Sequence, residues 1–262
     1  MNEVKIHVCS NESESWDTLW KWRWFTRDVW EAEYWKEEQI ALKPVLSLLS
    51  KLKVKSVLDC SCGLGYKTVL FAKAGYEAEG SDASAVAIKY APQLAKKQGV
   101  HIRFFRSRYD ELSSKCKRRY DCVWSDNFDE ISTYEYLVTS ARNIYSILNP
   151  NGKFVFCASP EKDLKKVIEN EWKNRKRFDI DPPYKKGTIK ITRVEVAEKT
   201  PEGILEHNIF LIEEPELLRA EIASLMNPRI KWTFEDFDKA LKTAGFRKVY
   251  MTEGNCAVAV KP

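Results

Sequence analysis

The sequence predicts an α/β protein with a seven-stranded, mostly parallel, doubly wound sheet and helices on both faces. Three observations predict it. Residues 56–84, SVLDCSCGLGYKTVLFAKAGYEAEGSDAS, read as strand, glycine turn, helix and strand. Each strand ends on an acid, Asp59 and Asp82, 23 positions apart. Strand-like and helix-like runs then alternate as far as residue 158. Ligands of open α/β sheets bind outside the carboxyl ends of the strands, so the same unit predicts a nucleoside-type site.

Taken in order, residues 1–15 are polar and predicted to be loose. Residues 16–52 read as helical, with many aromatics. Strands are predicted at 55–59, 76–81, 101–106, 120–125 and 153–158. Helices are predicted at 64–74, 84–98 and 132–148, with a short turn near 109–115. Asn149-Pro150-Asn151-Gly152 is a turn signal. A charged helix follows at 161–176, then a Pro-fixed turn at Asp181-Pro182-Pro183-Tyr184. The runs GTIKITRVEVA and GILEHNIFLIEE predict an inserted antiparallel hairpin. The helix FEDFDKALKTAGF and the strands FRKVYM and CAVAV end the chain. This gives a single domain over 1–262. Its parts are an aromatic-rich helical lid (1–52), a ligand-binding core (53–160), an insertion with the hairpin (161–230) and a closing helix with two strands (231–262).

Thirty-eight acids against 43 bases leave a net charge of +5, too mild to demand a nucleic-acid partner. Seven cysteines, an odd number, fit thiols in a reducing compartment better than a disulfide framework. No run of 18 apolar residues suggests a membrane span. The N-terminus lacks a basic-then-apolar leader, so the cytoplasm is the expected compartment. Oligomeric state leaves no signature. Cys60-x-Cys62 has no partner pair at zinc spacing, so no metal is expected.

The glycine turn discriminates between nucleotides. A dinucleotide fingerprint needs a third glycine, and Thr68 stands there. No G-x-x-x-x-G-K-[ST] phosphate loop occurs. Asp59 suits the cationic end of a ligand and repels a pyrophosphate, and Asp82 can accept both ribose hydroxyls. With V-L-D before it, the turn Ser61, Cys62, Gly63, Gly65 resembles that of Rossmann-like, S-adenosylmethionine-dependent methyltransferases. YDCVWSD (120–126), the L-N-P-N-G turn before GKFVF, and FDKALKTAGFRKV extend the resemblance over roughly residues 55–160 and 232–261. It implies S-adenosylmethionine as cofactor. The turn at 61–65 would bend around its methionine end, and Asp82 would hold the ribose. Ala83, Ser84, Tyr109 and Asp110 would lie near adenine. Asp126 and Asn127 would face the sulfonium and the acceptor.

Within that class the chain resembles glycine and sarcosine N-methyltransferases. The carriers are Ser61-Cys62-Gly63-x-Gly65, Asp82-Ala83-Ser84, Lys89-Tyr90-Ala91, Trp16-Asp17-x-Leu19 with Trp22 and Trp24, and Ala32-Glu33-Tyr34. The resemblance implies a small amine as acceptor. It departs after the fifth strand, where Phe156 to Glu161 holds no arginine to grip a substrate carboxylate, and near Trp30, where Arg27 is the nearest arginine.

Six tryptophans lie in residues 16–35. Trp20 and Trp24 share a helical face, as do Trp30 and Tyr34. They read either as core packing or as a lid whose rings face cations. Trp20, Trp24, Arg27, Trp30, Tyr34 and His207, the last on the hairpin, are the candidate acceptor-binding residues. A stacking platform for unpaired bases is the third reading, since Lys21, Arg23 and Arg27 are interleaved. Asp181-Pro182-Pro183-Tyr184 also matches the box of base and amide N-methyltransferases by letter. With the basic runs Lys115–Arg119 and Lys173–Arg177 it keeps a nucleic-acid methyltransferase as the alternative. A non-catalytic S-adenosylmethionine-binding protein is a further alternative.

Overall fold

The computed structural model describes residues 3–252 and 255–262. In chain order the first elements are β1 (Glu3–Val8), α1 (Glu12–Phe25), α2 (Arg27–Lys51), β2 (Ser56–Asp59), α3 (Tyr66–Lys73), β3 (Glu77–Asp82) and α4 (Ala85–Lys97). Next come β4 (Arg103–Arg106), α5 (Leu112–Lys115), β5 (Tyr120–Ser125), α6 (Tyr134–Ile147), β6 (Leu148–Cys157) and α7 (Leu164–Asn174). Then follow β7 (Phe178–Ile180), β8 (Tyr184–Lys186), β9 (Ile189–Thr200), β10 (Gly203–Glu213) and β11 (Leu217–Arg229). The last are α8 (Phe234–Thr243), β12 (Lys248–Met251) and β13 (Cys256–Val260). The chain divides into two compact units, Met1–Val29 with Asp163–Ile230, and Trp30–Lys162 with Lys231–Pro262.

The unit built on Trp30–Lys162 and Lys231–Pro262 holds the expected seven-stranded sheet, in the order β12-β13-β6-β5-β2-β3-β4. Five adjacent strands from β6 to β4 run parallel, and β13 runs antiparallel to both neighbours. Side chains alternate across a strand, and the sequence writes this directly. Leu58, Val123, Phe154, Phe156, Ala257 and Ala259 pack on one face with Leu137, Ala141 and Ile144 of α6 and Phe237 and Leu241 of α8. Val57, Cys122, Trp124, Val155 and Val258 pack on the other with Leu42, Val45 and Leu49 of α2 and Phe71 of α3. A sheet buried on both faces needs such near-continuous apolar strands. Helix starts are capped as their sequences dictate: Ser84 Oγ accepts from Ala87 N at 3.0 Å, and Thr233 and Asp236 form a capping box. One expectation changes. The N-P-N-G run lies inside β6, where the register against β5 shifts and Asn151 takes φ 59°. The irregularity does the work of the turn.

The unit built on Met1–Val29 and Asp163–Ile230 is a six-stranded sheet in the order β1-β11-β10-β9-β7, with β8 also on β9. The predicted hairpin is β9–β10, one part of this larger sheet. Within the stretch predicted loose, residues 3–15 are ordered: β1 pairs in parallel with β11, and α1 starts at Glu12; residues 1 and 2 lie outside the described residues. β1 escapes a reading by burial because Val4, Ile6 and Val8 are exposed, so its order comes from backbone pairing rather than from a buried face. Leu19 and Trp22 of α1 pack on Ile191, Phe210, Ile212 and Leu225. Trp22 Nε1 donates to Glu221 Oε2 at 2.7 Å, the partner a buried indole requires. The first 29 residues therefore group with 163–230. The stretch 1–52 is not one piece, because the division falls within the first turn of α2.

Candidate active site

The strand order reverses between β2 and β5, since β3 and β4 lie on one side of β2 and β5 and β6 on the other. A crevice at the carboxyl ends is expected at such a switch point. Here β2 delivers Asp59, β3 delivers Asp82, and β5 leads into Asp126. The turn between β2 and α3 is held by its backbone: Cys62 N donates to Ser81 O at 3.0 Å and Gly65 N to Cys62 O at 2.8 Å. Gly63 and Gly65 sit at φ 50° and 90°, in the left-handed region that suits glycine. Asp82 ties the turn to the next helix. Its Oδ2 accepts from Gly63 N at 2.8 Å and its Oδ1 from Ser84 N at 2.9 Å. Ser81 Oγ is buried without a protein partner. A Cβ at Gly80 would lie 2.6 Å from the Phe104 ring, so this backbone stays bare. A polar cradle with diol acceptors and no room for side chains fits a nucleoside.

Asp59 is turned inward. It is 2% exposed, and its Oδ2 accepts from Thr68 Oγ1 at 2.7 Å. Burial pushes its carboxyl up to about 7. It braces the turn from inside. Thr68 at the third-glycine position is thereby explained, since it supplies the hydroxyl that a buried acid needs.

Ser61, Ser125 and Tyr109 form one network. Ser61 Oγ and Tyr109 OH lie 3.1 and 2.8 Å from Ser125 Oγ, and Asp126 N donates to Ser61 Oγ at 3.2 Å. Burial raises the Tyr109 phenol far above its ordinary range, so it stays protonated. Asn127 N donates to Ser125 Oγ at 3.3 Å. Asp110 pairs with Arg108 at 3.2 Å, Ala83 O accepts from Arg106 Nε at 2.9 Å, and Ser84 caps α4.

Asp126 has partners that the sequence reading missed. Lys67 Nζ pairs with Asp126 Oδ2 and, at 2.9 Å, with Glu38 Oε2. Burial opposes the lysine's charge, but Asp126 and then Glu38 outweigh it and raise its pKa. Cys157 Sγ donates to Asp126 Oδ1 at 3.2 Å. A cavity of about 240 Å³ opens beside this group, lined by Glu37, Glu38, Lys67, Trp124, Asp126 and Cys157 among others. The Trp124 indole N–H is buried without a protein partner. Lys67 carried a signal after all: it is the second residue of α3, straight after the glycine turn.

The candidate acceptor-binding residues divide. Trp30 and Tyr34 gather with Trp35 on Tyr66, with ring centroids 5.9, 4.9 and 4.7 Å from it. Tyr66 opens α3, one residue past Gly65. Trp20, Trp24, Arg27 and His207 belong to the other unit. There Trp20 stacks on Trp16 at 5.8 Å, Arg27 lies over Trp24 at 4.3 Å, and His207 Nδ1 is 2.9 Å from Ser224 Oγ. The Asp-Pro-Pro-Tyr run is also there, with Tyr184 OH donating to Asp28 Oδ2 at 2.9 Å. All seven cysteines are free. Among the described residues no helix is long and apolar enough to cross a membrane.

Comparison with known proteins agrees with this geometry. Residues 57–152 match a family model described as a methyltransferase domain. An uncharacterized RNA methyltransferase of Protochlamydia amoebophila is 26% identical over 100 residues, which is 38% of this chain and 23% of that protein. The chain thus spans about a quarter of that relative's length. The sugar N-methyltransferase KedS8 of a Streptoalloteichus species superposes with a TM-score of 0.65 at 14% identity, over 90% of this chain and 92% of that one. CalS10 of Micromonospora echinaspora, an amino pentose methyltransferase solved with S-adenosylmethionine bound, superposes with a TM-score of 0.56 at 15% identity, over 89% and 97%. At such identity these likenesses speak for the fold, and the family match speaks for the segment. Residues 57–152 thus resemble a methyltransferase domain, and the fold is one that methyltransferases of known structure share.

Proposed function

We propose that this chain transfers a methyl group from S-adenosylmethionine to the nitrogen of a small amine. The observation that carries the reading is the cavity beside Asp126. Its volume, about 240 Å³, suits a small molecule. It carries the carboxylates of Glu37, Glu38 and Asp126 against the single ammonium of Lys67, a balance that favours a cation. The unpaired Trp124 N–H favours an acceptor that also bears an oxygen, such as a hydroxylated amine.

When bound, the cofactor supplies the activated methyl group. The residues that would hold it are the turn Ser61–Gly65 and Asp82, with Ala83 and Ser84 flanking. The chain's own work is orientation and proton management. An amine arrives protonated at neutral pH and needs its lone pair free. Asp126 is the group placed to take that proton, and Lys67 and Cys157 fix its two oxygens. Trp30 and Tyr34 around Tyr66 would add aromatic faces toward a cation, an attraction of about 0.5–2 kcal/mol.

Labelled cofactor offered with small amines, amino sugars, amino acids and RNA tests this reading. Label is expected in a small amine, with Asp126→Ala losing turnover while keeping cofactor affinity. Label confined to RNA, with binding that falls steeply with salt, would favour the nucleic-acid alternative instead. The RNA methyltransferase likeness supports that alternative. Against it, Arg118, Arg175 and Lys176 of the two basic runs are engaged by acids rather than left for phosphates. Cofactor binding without transfer to any acceptor would make the chain a binding protein only.

A further inference from the structure

The first unit carries a cluster that the methyl-transfer reading does not use. His7 and Cys9 are two positions apart at the end of β1, so both project to one side of it. Glu14 lies in the first turn of α1. One ligand atom from each of the three lies within 4.8 Å of the other two. His7 Nε2 and Glu14 Oε1 are 2.8 Å apart.

We propose that His7, Cys9 and Glu14 bind a divalent transition-metal ion of the zinc class. Nitrogen, sulfur and oxygen donors together suit such a borderline ion, at distances of about 2.0–2.3 Å. They do not suit magnesium or calcium, which take oxygen ligands. Three protein ligands leave a fourth position for water. The outer shell is already in place. Ser10 N and Oγ donate to Glu14 Oε2 at 2.6 and 2.8 Å, which leaves Oε1 for the metal. Thr18 Oγ1, one helical turn beyond Glu14, lies 3.3 Å from Cys9 Sγ. Such second partners orient ligands in metal sites. Binding releases the Cys9 thiol proton, and the proton between His7 Nε2 and Glu14 Oε1 leaves for solvent or moves to Nδ1, so that both Nε2 and Oε1 can ligate. The ion would clamp the edge strand β1 to α1.

Cobalt(II) titration of the metal-free full-length chain tests the site. One cobalt per chain is expected, with a thiolate-to-cobalt charge-transfer band that zinc(II) abolishes. Cys9→Ser should remove the band, and Ser10→Ala should weaken binding about 10- to 100-fold. Unchanged far-ultraviolet circular dichroism would verify that the variants fold. A missing band, or a band that survives in Cys9→Ser, would overturn the proposal, the latter by assigning the metal to another of the seven cysteines.

Discussion

The Lys67 ammonium is locked onto the Asp126 carboxylate at the carboxyl end of β5, with Glu38 as its second acid. Lysine from α3, aspartate after β5 and glutamate from α2 thus meet where the sheet's order reverses. Removing the lysine leaves two like charges facing each other. Lys67→Met is expected to cost about 2 kcal/mol, below the 3–5 typical of a fully buried pair because Asp126 is a third exposed. Urea denaturation measures it, and adding Glu38→Gln should recover part of the loss. The raised lysine pKa keeps this contribution whole below the free value of 10.5, so it fades only at higher pH.

Asp59 sets a pH dependence of the same sign in a lower window. Its carboxyl titrates near 3.8 when free and near 7 in the fold. Between those values the native state holds one more proton than the unfolded chain, so stability falls as pH rises through the window and levels off above it. The size is roughly 4 kcal/mol. Asp59→Asn keeps an acceptor for Thr68 and removes the titration. Thermal melts from pH 4 to 8 should show a flatter profile for the variant than for the parent.

Asp82 accepts two backbone donors, Gly63 N and Ser84 N. Asp82→Ala strands both and is expected to cost about 1–3 kcal/mol. Cofactor affinity by calorimetry should drop at least about tenfold, equivalent to some 1.4 kcal/mol. Asp82→Asn should fall between the two.

Gly80 and Phe104 are a matched pair. A methyl at Gly80 would meet the ring at 2.6 Å, and Cys62 Sγ at 3.2 Å. Gly80→Ala is expected to lower stability by about 1–3 kcal/mol. Phe104→Leu in the same chain should relieve part of that loss, a coupling a double-mutant cycle detects.

The cofactor-binding half was legible because its strands are buried on both faces. Val57-Leu58 and Phe154-Val155-Phe156 announce themselves, and the glycine turn with Asp82 follows from positive φ and strand ends. The six-stranded sheet was legible only at β9 and β10. β1 is a strand by pairing, with Val4, Ile6 and Val8 exposed, and β7 and β8 are three residues each around two prolines. In the site, Asp126 was foreseen but its clasp was not. Lys67 and Glu38 are ordinary letters on two helices, and only the tertiary fold turns them toward one carboxylate. The inward turn of Asp59 toward Thr68 was not legible, because the sequence gives the end of a strand and not the direction in which the side chain is satisfied.

The pairing of β1 with β11 has a consequence for how the chain is made. Lys21 and Glu221, bonded across that unit, are 200 residues apart. On the ribosome β1 and α1 emerge first and then wait while the whole parallel sheet is synthesised. That sheet is itself unfinished until β13 slots in beside β6. Neither unit is one continuous stretch of chain: the first is interrupted by the parallel sheet, and the second by β7–β11. Contacts of such span are slow to form and leave edges exposed meanwhile. Translation stopped just before β13 should therefore leave the seven-stranded sheet without β6's partner and the chain prone to aggregate.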